Sequence, residues 1–141
     1  MNAIISRDAL LLAARLALSL LFIIMGWGKL SDYSGAVAYM AQTGAPVPAV
    51  AAIVAILAEL GIGLALVLGV LVSPLAIALA LYTVVTGFIG HHFWTMDGAL
   101  RYDMMIHFYK NISIAGGLVA LAVAGPGRFA LRLPTPAVAA R

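Results

Sequence analysis

Residues 48–92 read PAVAAIVAILAELGIGLALVLGVLVSPLAIALALYTVVTGFIGHH, and Glu59 is the only Asp, Glu, Lys or Arg among them. Apolar stretches of about 20 residues are typical of membrane-spanning helices, since a rise of about 1.5 Å per residue must cover about 30 Å of hydrocarbon. Residues 48–92 are long enough for two such helices. Ser73 and Pro74 stand between the halves, where serine favours a helix cap and proline the first helical position. The pattern predicts an antiparallel pair of spanning helices with a very short connection.

The rest of the chain has the same apolar character. Of its 141 residues, 65% are hydrophobic and 9% are charged, whereas a soluble domain usually carries about 25% charged residues. A water-soluble fold of this length cannot bury so much apolar surface. We therefore predict an all-α integral membrane protein, a single-domain, up-down four-helix bundle in the lipid bilayer. The predicted spans cover about residues 9–30, 48–70, 74–92 and 103–124.

Charge and cysteine content exclude several classes of function. The net charge is +3, but the basic residues are scattered and form no stripe of the kind that binds nucleic acid. The chain contains no cysteine, which excludes disulfides and Cys-ligated zinc or iron–sulfur clusters within it. His91 and His92 are adjacent, so on a helix they would point about 100° apart and could not both ligate one metal. We predict neither a metal site nor a catalytic residue.

The distribution of basic residues predicts the orientation in the membrane. Four spans place both termini on one side, and the terminal side carries Arg7, Arg128, Arg132 and Arg141. The two longer loops on the other side offer mainly Lys29 and Arg101. Because cytoplasmic loops are enriched in Lys and Arg, we expect both termini to be cytoplasmic.

Arg15, Glu59 and Lys110 each fall inside a predicted span, at least a turn from its ends. A charge at the bilayer centre costs about 2.5–3.5 kcal/mol, and Glu59 is too short to reach water from the middle of its helix. Small residues recur every four positions on its face, so we expect Glu59 to face protein. Side chains on a helix lean toward its N-terminus, and this direction favours Lys110 as the partner of Glu59. Arg15 is favoured instead because the first and second spans are consecutive in the chain. We predict a network shared by both cations.

The polar residues of the last two spans extend this network. Asp103, His107 and Lys110 or Asn111 follow the spacing that places them on one face of a helix. Packing the polar edges of the helices together would remove them from lipid. The predicted buried polar network or ligand pocket comprises Arg15, Glu59, His91, His107, Lys110 and Asn111.

Five segments carry a resemblance to a known family. They are RLALSLLFIIMGWGKL (15–30), TGAPVP (43–48), AELGIGLALVLGV (58–70), HHFW (91–94) and FYKNISIAGGL (108–118). In these segments the chain resembles the DoxX family of small four-helix bacterial membrane proteins. The family takes its name from a component linked to quinol oxidation and thiosulfate:quinone oxidoreduction, and related proteins are associated with oxidative-stress complexes. The resemblance implies a multi-pass protein of the bacterial inner membrane with a redox association, and it supplies no catalytic residues.

Three functional hypotheses follow. The first is a non-catalytic subunit or scaffold of a redox, respiratory or oxidative-stress membrane complex, with other membrane or respiratory subunits as its partners. The second is a quinone-binding subunit of an oxidoreductase, of the quinol oxidase or thiosulfate:quinone type. In it, quinone is the cofactor, Glu59, Tyr82, His91, His107 and Lys110 supply hydrogen bonds, and electrons come from a partner. The third is a carrier of small molecules or lipids that acts as a homo-oligomer. We do not expect the chain to be an enzyme on its own.

Overall fold

The computed structural model describes residues 6–131 of the protein. It confirms the predicted all-α fold, with four helices long and apolar enough to cross a membrane. The helical elements are α1 (Arg7–Ser31), α2 (Tyr33–Gln42), α3 (Pro48–Ile56), a π-helical segment (Leu57–Ile62), α4 (Gly63–Leu68), α5 (Val72–Gly90), a 3-10 turn (Phe93–Thr95) and α6 (Gly98–Ala124).

The first candidate span is α1, and the second is the continuous run of α3, the π-helical segment and α4. The third extends from α5 through the 3-10 turn, and the fourth is α6. Ser6 begins the first span, where its hydroxyl accepts a hydrogen bond from the backbone N–H of Ala9. Pro48 occupies the start of the second, as the sequence predicts. The fourth begins at Gly98, ahead of the predicted start near residue 103, because the helix continues through polar Arg101 and Asp103 beyond the apolar run.

The tight connection between α4 and α5 differs from the predicted cap. Helix α5 begins at Val72, and Leu71 precedes it in the left-handed region with φ 47°. Ser73 therefore lies inside the first turn of α5 and does not cap the helix. Its hydroxyl donates to the carbonyl of Ala122 on α6 at 2.7 Å. Ser73 thus joins the third and fourth spans.

The core lies where the spans meet, and its fully buried side chains include Leu66, Leu79 and Leu118. Many other large apolar side chains, such as Leu16 and Leu20 on α1, point outward and are exposed. A soluble protein would not present so many of them to water. This distribution of buried and exposed apolar side chains agrees with a bundle surrounded by lipid.

Two irregularities interrupt the regular helices, and neither is evident from the sequence. Asp32 alone separates α1 from α2, and its carboxylate accepts a hydrogen bond from the N–H of Gly35 to cap the second helix. The π segment contains Glu59. Single turns of π-helix inside α-helices are frequent at functional sites. Both irregularities border the cavity described below.

Residues 125–131 fold back and cover the end of the bundle at which both termini lie. The backbone N–H of Leu131 donates to the carbonyl of Leu68 at 2.9 Å, and that of Arg128 donates to Asp8 at 2.9 Å. Arg15 is fully buried here and donates to the carbonyl of Phe129. Arg15 is therefore part of the closure at the terminal end of the bundle.

Candidate ligand-binding site

A cavity of about 1020 Å³ lies at the opposite end of the bundle from the termini. It is lined by the last turns of α1, by α2, by α3 and the π segment, by the second half of α5 and by the middle of α6. Most of its lining is apolar, with side chains such as Ile24, Met25 and Val54. Polar side chains are concentrated in two groups.

The first polar group consists of Lys29, Glu59 and Tyr82, and we call it the Glu59 cluster. Lys29 Nζ lies 2.6 Å from Glu59 Oε2 and forms a salt bridge with it. The Tyr82 hydroxyl donates to Glu59 Oε1 at 2.6 Å. Each carboxylate oxygen therefore has its own donor, and Glu59 is 7% exposed. A carboxylate inside a span is stabilised in this way by a cation and a hydrogen-bond donor.

The local structure explains why Lys29 reaches Glu59. Gly26 on α1 lies against the π segment so closely that a Cβ atom there would be 2.5 Å from the backbone nitrogen of Leu60. Lys29 follows Gly26 by about one helical turn, which places both on nearly the same face. A glycine at the closest approach of the two spans thus brings the lysine to the level of Glu59.

The predicted partners of Glu59 were wrong. Neither Arg15 nor Lys110 forms the ion pair, because Arg15 lies at the terminal end, where it bonds to Phe129. Lys110 lines the cavity but makes no salt bridge within residues 6–131. Because Lys29 lies at the end of the first apolar run, the hydropathy pattern groups it with the loop that follows. Gly26 and Lys29 lie about one turn apart in the same span. This spacing is the feature of the sequence that indicates that Lys29 faces the second span.

The second polar group lies on α6 and at the end of α5. The imidazole rings of His91 and His107 are stacked with their centroids 5.1 Å apart, and Lys110 follows His107 by about one turn of α6. Asn111 donates from its side-chain amide to the carbonyl of Thr83 at 3.1 Å. The cavity wall thus brings together five of the six predicted residues, Glu59, His91, His107, Lys110 and Asn111. Arg15 is the one that lies elsewhere.

Helix α2 forms one wall of the cavity and lies in the connection between the first two spans, where the apolar runs alone predict no helix. Ala36, Tyr39 and Met40 line the cavity, and Ala36 is the buried residue of α2. The Tyr33 hydroxyl ties α2 to α3 by donating to the carbonyl of Ala49 at 3.0 Å.

The wall has hydrogen-bonding capacity beyond the bonds it already makes. A lysine ammonium has three N–H donors, and the bond to Glu59 occupies one of those of Lys29. An asparagine amide has two N–H donors and a carbonyl acceptor, and Asn111 uses one donor on Thr83. The cavity therefore suits a largely apolar molecule with a few oxygen acceptors.

Comparison with known proteins agrees with this architecture. The DoxX family model matches residues 10–92, a range that includes Lys29, Glu59, Tyr82 and His91. The chain is 46% identical over 126 residues to inner membrane protein YphA of Escherichia coli (strain K12), covering 89% of this chain and 90% of that protein. It is 36% identical over 124 residues to inner membrane protein YqjF of the same organism, covering 88% and 90%. No solved structure matches the chain. With its four spanning helices and these relatives, the chain belongs to the DoxX family of membrane proteins.

Proposed function

We propose that this inner-membrane protein is a non-catalytic subunit of a redox membrane complex and that its cavity binds a quinone or quinol. The observation that carries the proposal is the Glu59 cluster on the wall of an otherwise apolar cavity. A scaffold alone has no need of such a cavity. Ligand sites typically combine an apolar body of about 300–1,000 Å³ with a few convergent polar groups.

The chemistry of a quinone suits this wall. Its ring and hydrocarbon tail need apolar contacts, which Ile24, Met25 and Val54 offer. Its carbonyl oxygens accept hydrogen bonds, and Lys29 and Asn111 each retain N–H donors for them. In a cavity of low polarity these bonds are stronger than in water.

The Glu59 cluster also offers a route for protons. Reduction of a quinone to a quinol takes up two electrons and two protons. The hydrogen bond from the Tyr82 hydroxyl to Glu59 places a proton donor and a proton acceptor side by side on the cavity wall. The chain has no cysteine, and we propose that a partner subunit supplies or removes the two electrons. The chain itself holds the ring and positions the proton-carrying groups.

Direct measurement of bound quinone tests this function. We expect protein purified from native membranes to retain quinone and to be stabilised against heat by added quinone. Tyr82→Phe removes the hydroxyl that donates to Glu59 Oε1, so this oxygen would compete with the quinone for the remaining N–H donors of Lys29. Quinone binding should then weaken about tenfold, the equivalent of roughly one hydrogen bond. Tyr102→Phe is the matched control, because Tyr102 is exposed and lies outside the cavity. Absence of both retained quinone and a thermal shift would contradict the proposal. Retention of phospholipid instead of quinone would favour the hypothesis of a lipid carrier.

We further propose that both termini face the cytoplasm, which places the cavity in the outer half of the membrane. Arg7 and Arg128 support this orientation, since both lie at the terminal end of the bundle. The predicted contributions of Arg132 and Arg141 lie outside the described residues. A C-terminal green fluorescent protein fusion should fluoresce, and an alkaline phosphatase fusion at the same site should be inactive. The reverse pair of results would show the opposite orientation.

A further inference from the structure

We propose that the ligand of the cavity carries an anionic oxygen and that Lys110, with His91 and His107, binds it. We call these three residues the Lys110 cluster. The inference rests on the proposed function and narrows it from quinones in general to quinone-sized molecules with a negative charge.

The first step concerns the charges on the cavity wall. Four of the lining residues are lysine, aspartate or glutamate: Lys29, Asp32, Glu59 and Lys110. Lys29 and Glu59 neutralise each other across 2.6 Å. Asp32 accepts hydrogen bonds from the Gly35 N–H at 2.9 Å and from the hydroxyl of Ser34 at 3.1 Å. Its carboxylate lies at the N-terminus of α2, where the helix dipole favours a negative charge.

Lys110 is left as the cation without a carboxylate partner. Within residues 6–131, its ammonium takes part in no salt bridge. It is exposed, lines the cavity and lies on α6 about two turns beyond Asp103. A lysine inside a predicted span is costly unless something compensates its charge. A ligand with an anionic oxygen would provide that compensation.

The histidine pair adds two hydrogen-bonding rings beside this cation. His91 and His107 both line the cavity, and their rings are stacked at 5.1 Å. In the described part of the chain, the buried Nδ1 atom of His91 has no hydrogen-bond partner. A neutral imidazole donates one N–H and accepts at its other nitrogen. The Lys110 cluster thus combines one cation with two hydrogen-bonding rings and no carboxylate of its own.

The Glu59 cluster and the Lys110 cluster suit different chemical groups of a ligand. The Glu59 cluster is internally neutral and suits a carbonyl or hydroxyl oxygen. The Lys110 cluster suits an ionised hydroxyl or a carboxylate, since charge-assisted hydrogen bonds are roughly twice as strong as neutral ones. Ionised hydroxyquinones and aromatic carboxylates of similar size therefore form the ligand class that the cavity should prefer.

A pair of naphthoquinones that differ in charge tests the inference on the full-length protein in detergent. 2-Hydroxy-1,4-naphthoquinone is ionised at neutral pH, whereas 1,4-naphthoquinone is neutral. We expect titration by tryptophan fluorescence quenching to show at least about tenfold tighter binding of the ionised compound. Lys110→Met should remove that preference by weakening the ionised compound alone, and Lys110→Arg should preserve it. Arg101→Met is the matched control, because Arg101 is also on α6 but does not line the cavity.

The outcomes separate this inference from the proposed function. Equal affinity of the wild-type protein for both compounds would overturn the anionic ligand and leave quinone binding in place. A preference that survives in Lys110→Met, or that disappears equally in Arg101→Met, would also overturn it. Failure of the wild-type protein to bind either compound would contradict quinone binding itself.

Discussion

Replacement of Lys29 by methionine is expected to lower the free energy of unfolding by about 3 kcal/mol. Loss of one partner of a buried ion pair costs about 3–5 kcal/mol, because the other charge is left uncompensated. The lower end applies here, since the Lys29 side chain is 18% exposed and Tyr82 still donates to Glu59. Thermal or denaturant unfolding of the detergent-solubilised protein measures the loss.

Two further variants show whether the loss comes from the pair itself. Adding Glu59→Gln to Lys29→Met should recover most of the stability, because the amide needs no counter-charge. Stability effects that deviate from additivity in this way are the mark of direct coupling. Lys110→Met is the matched control and should not lower stability, since Lys110 makes no salt bridge within the described residues. Strict additivity, or an equal loss in Lys110→Met, would show that the ion pair does not stabilise the bundle.

Replacement of Gly26 by alanine is expected to destabilise the protein by about 1–3 kcal/mol through overpacking. The new Cβ atom would be 2.5 Å from the backbone nitrogen of Leu60 and 2.8 Å from its Cβ. The π segment or α1 must then move, and the movement would also separate Lys29 from Glu59. We therefore expect weaker quinone binding together with the lower stability.

Gly28→Ala provides the matched control for this substitution. Gly28 lies on the same helix, and a Cβ atom there would meet nothing within 4 Å. Alanine favours an α-helix over glycine by about 1 kcal/mol, so Gly28→Ala should be neutral or stabilising. Unfolding measurements on both variants decide the matter. If Gly26→Ala proves as stable as Gly28→Ala, close contact between α1 and the π segment is not needed.

The sequence predicts the bundle well because the membrane imposes a strong local rule. Each span must be about 20 apolar residues long, and the hydrophobic runs near residues 9–30 and 48–70 satisfy this independently of any tertiary contact. The polar positions within those runs also point to the cavity, since helical spacing places His107, Lys110 and Asn111 near one another. The length of the apolar runs was enough for the spans, and helical periodicity was enough for the polar positions.

The pairing of charges could not be predicted in the same way. It depends on the depth at which helices meet, and that depth is set by the close approach at Gly26 and by the π segment around Glu59. The position of Arg15 depends on residues 125–131 folding back to Phe129, a contact between distant parts of the chain. Helix α2 depends on the break at Asp32, which hydropathy does not report.

Photo-crosslinking with an azido-quinone in native membranes tests the central claim that the cavity binds quinone. The label should appear in peptides from α2 and the second half of α5, both of which line the cavity. An excess of unlabelled quinone should prevent it, and Tyr82→Phe should reduce it. Label confined to outward-facing positions such as Leu16 and Leu20, or label that unlabelled quinone does not displace, would contradict the claim.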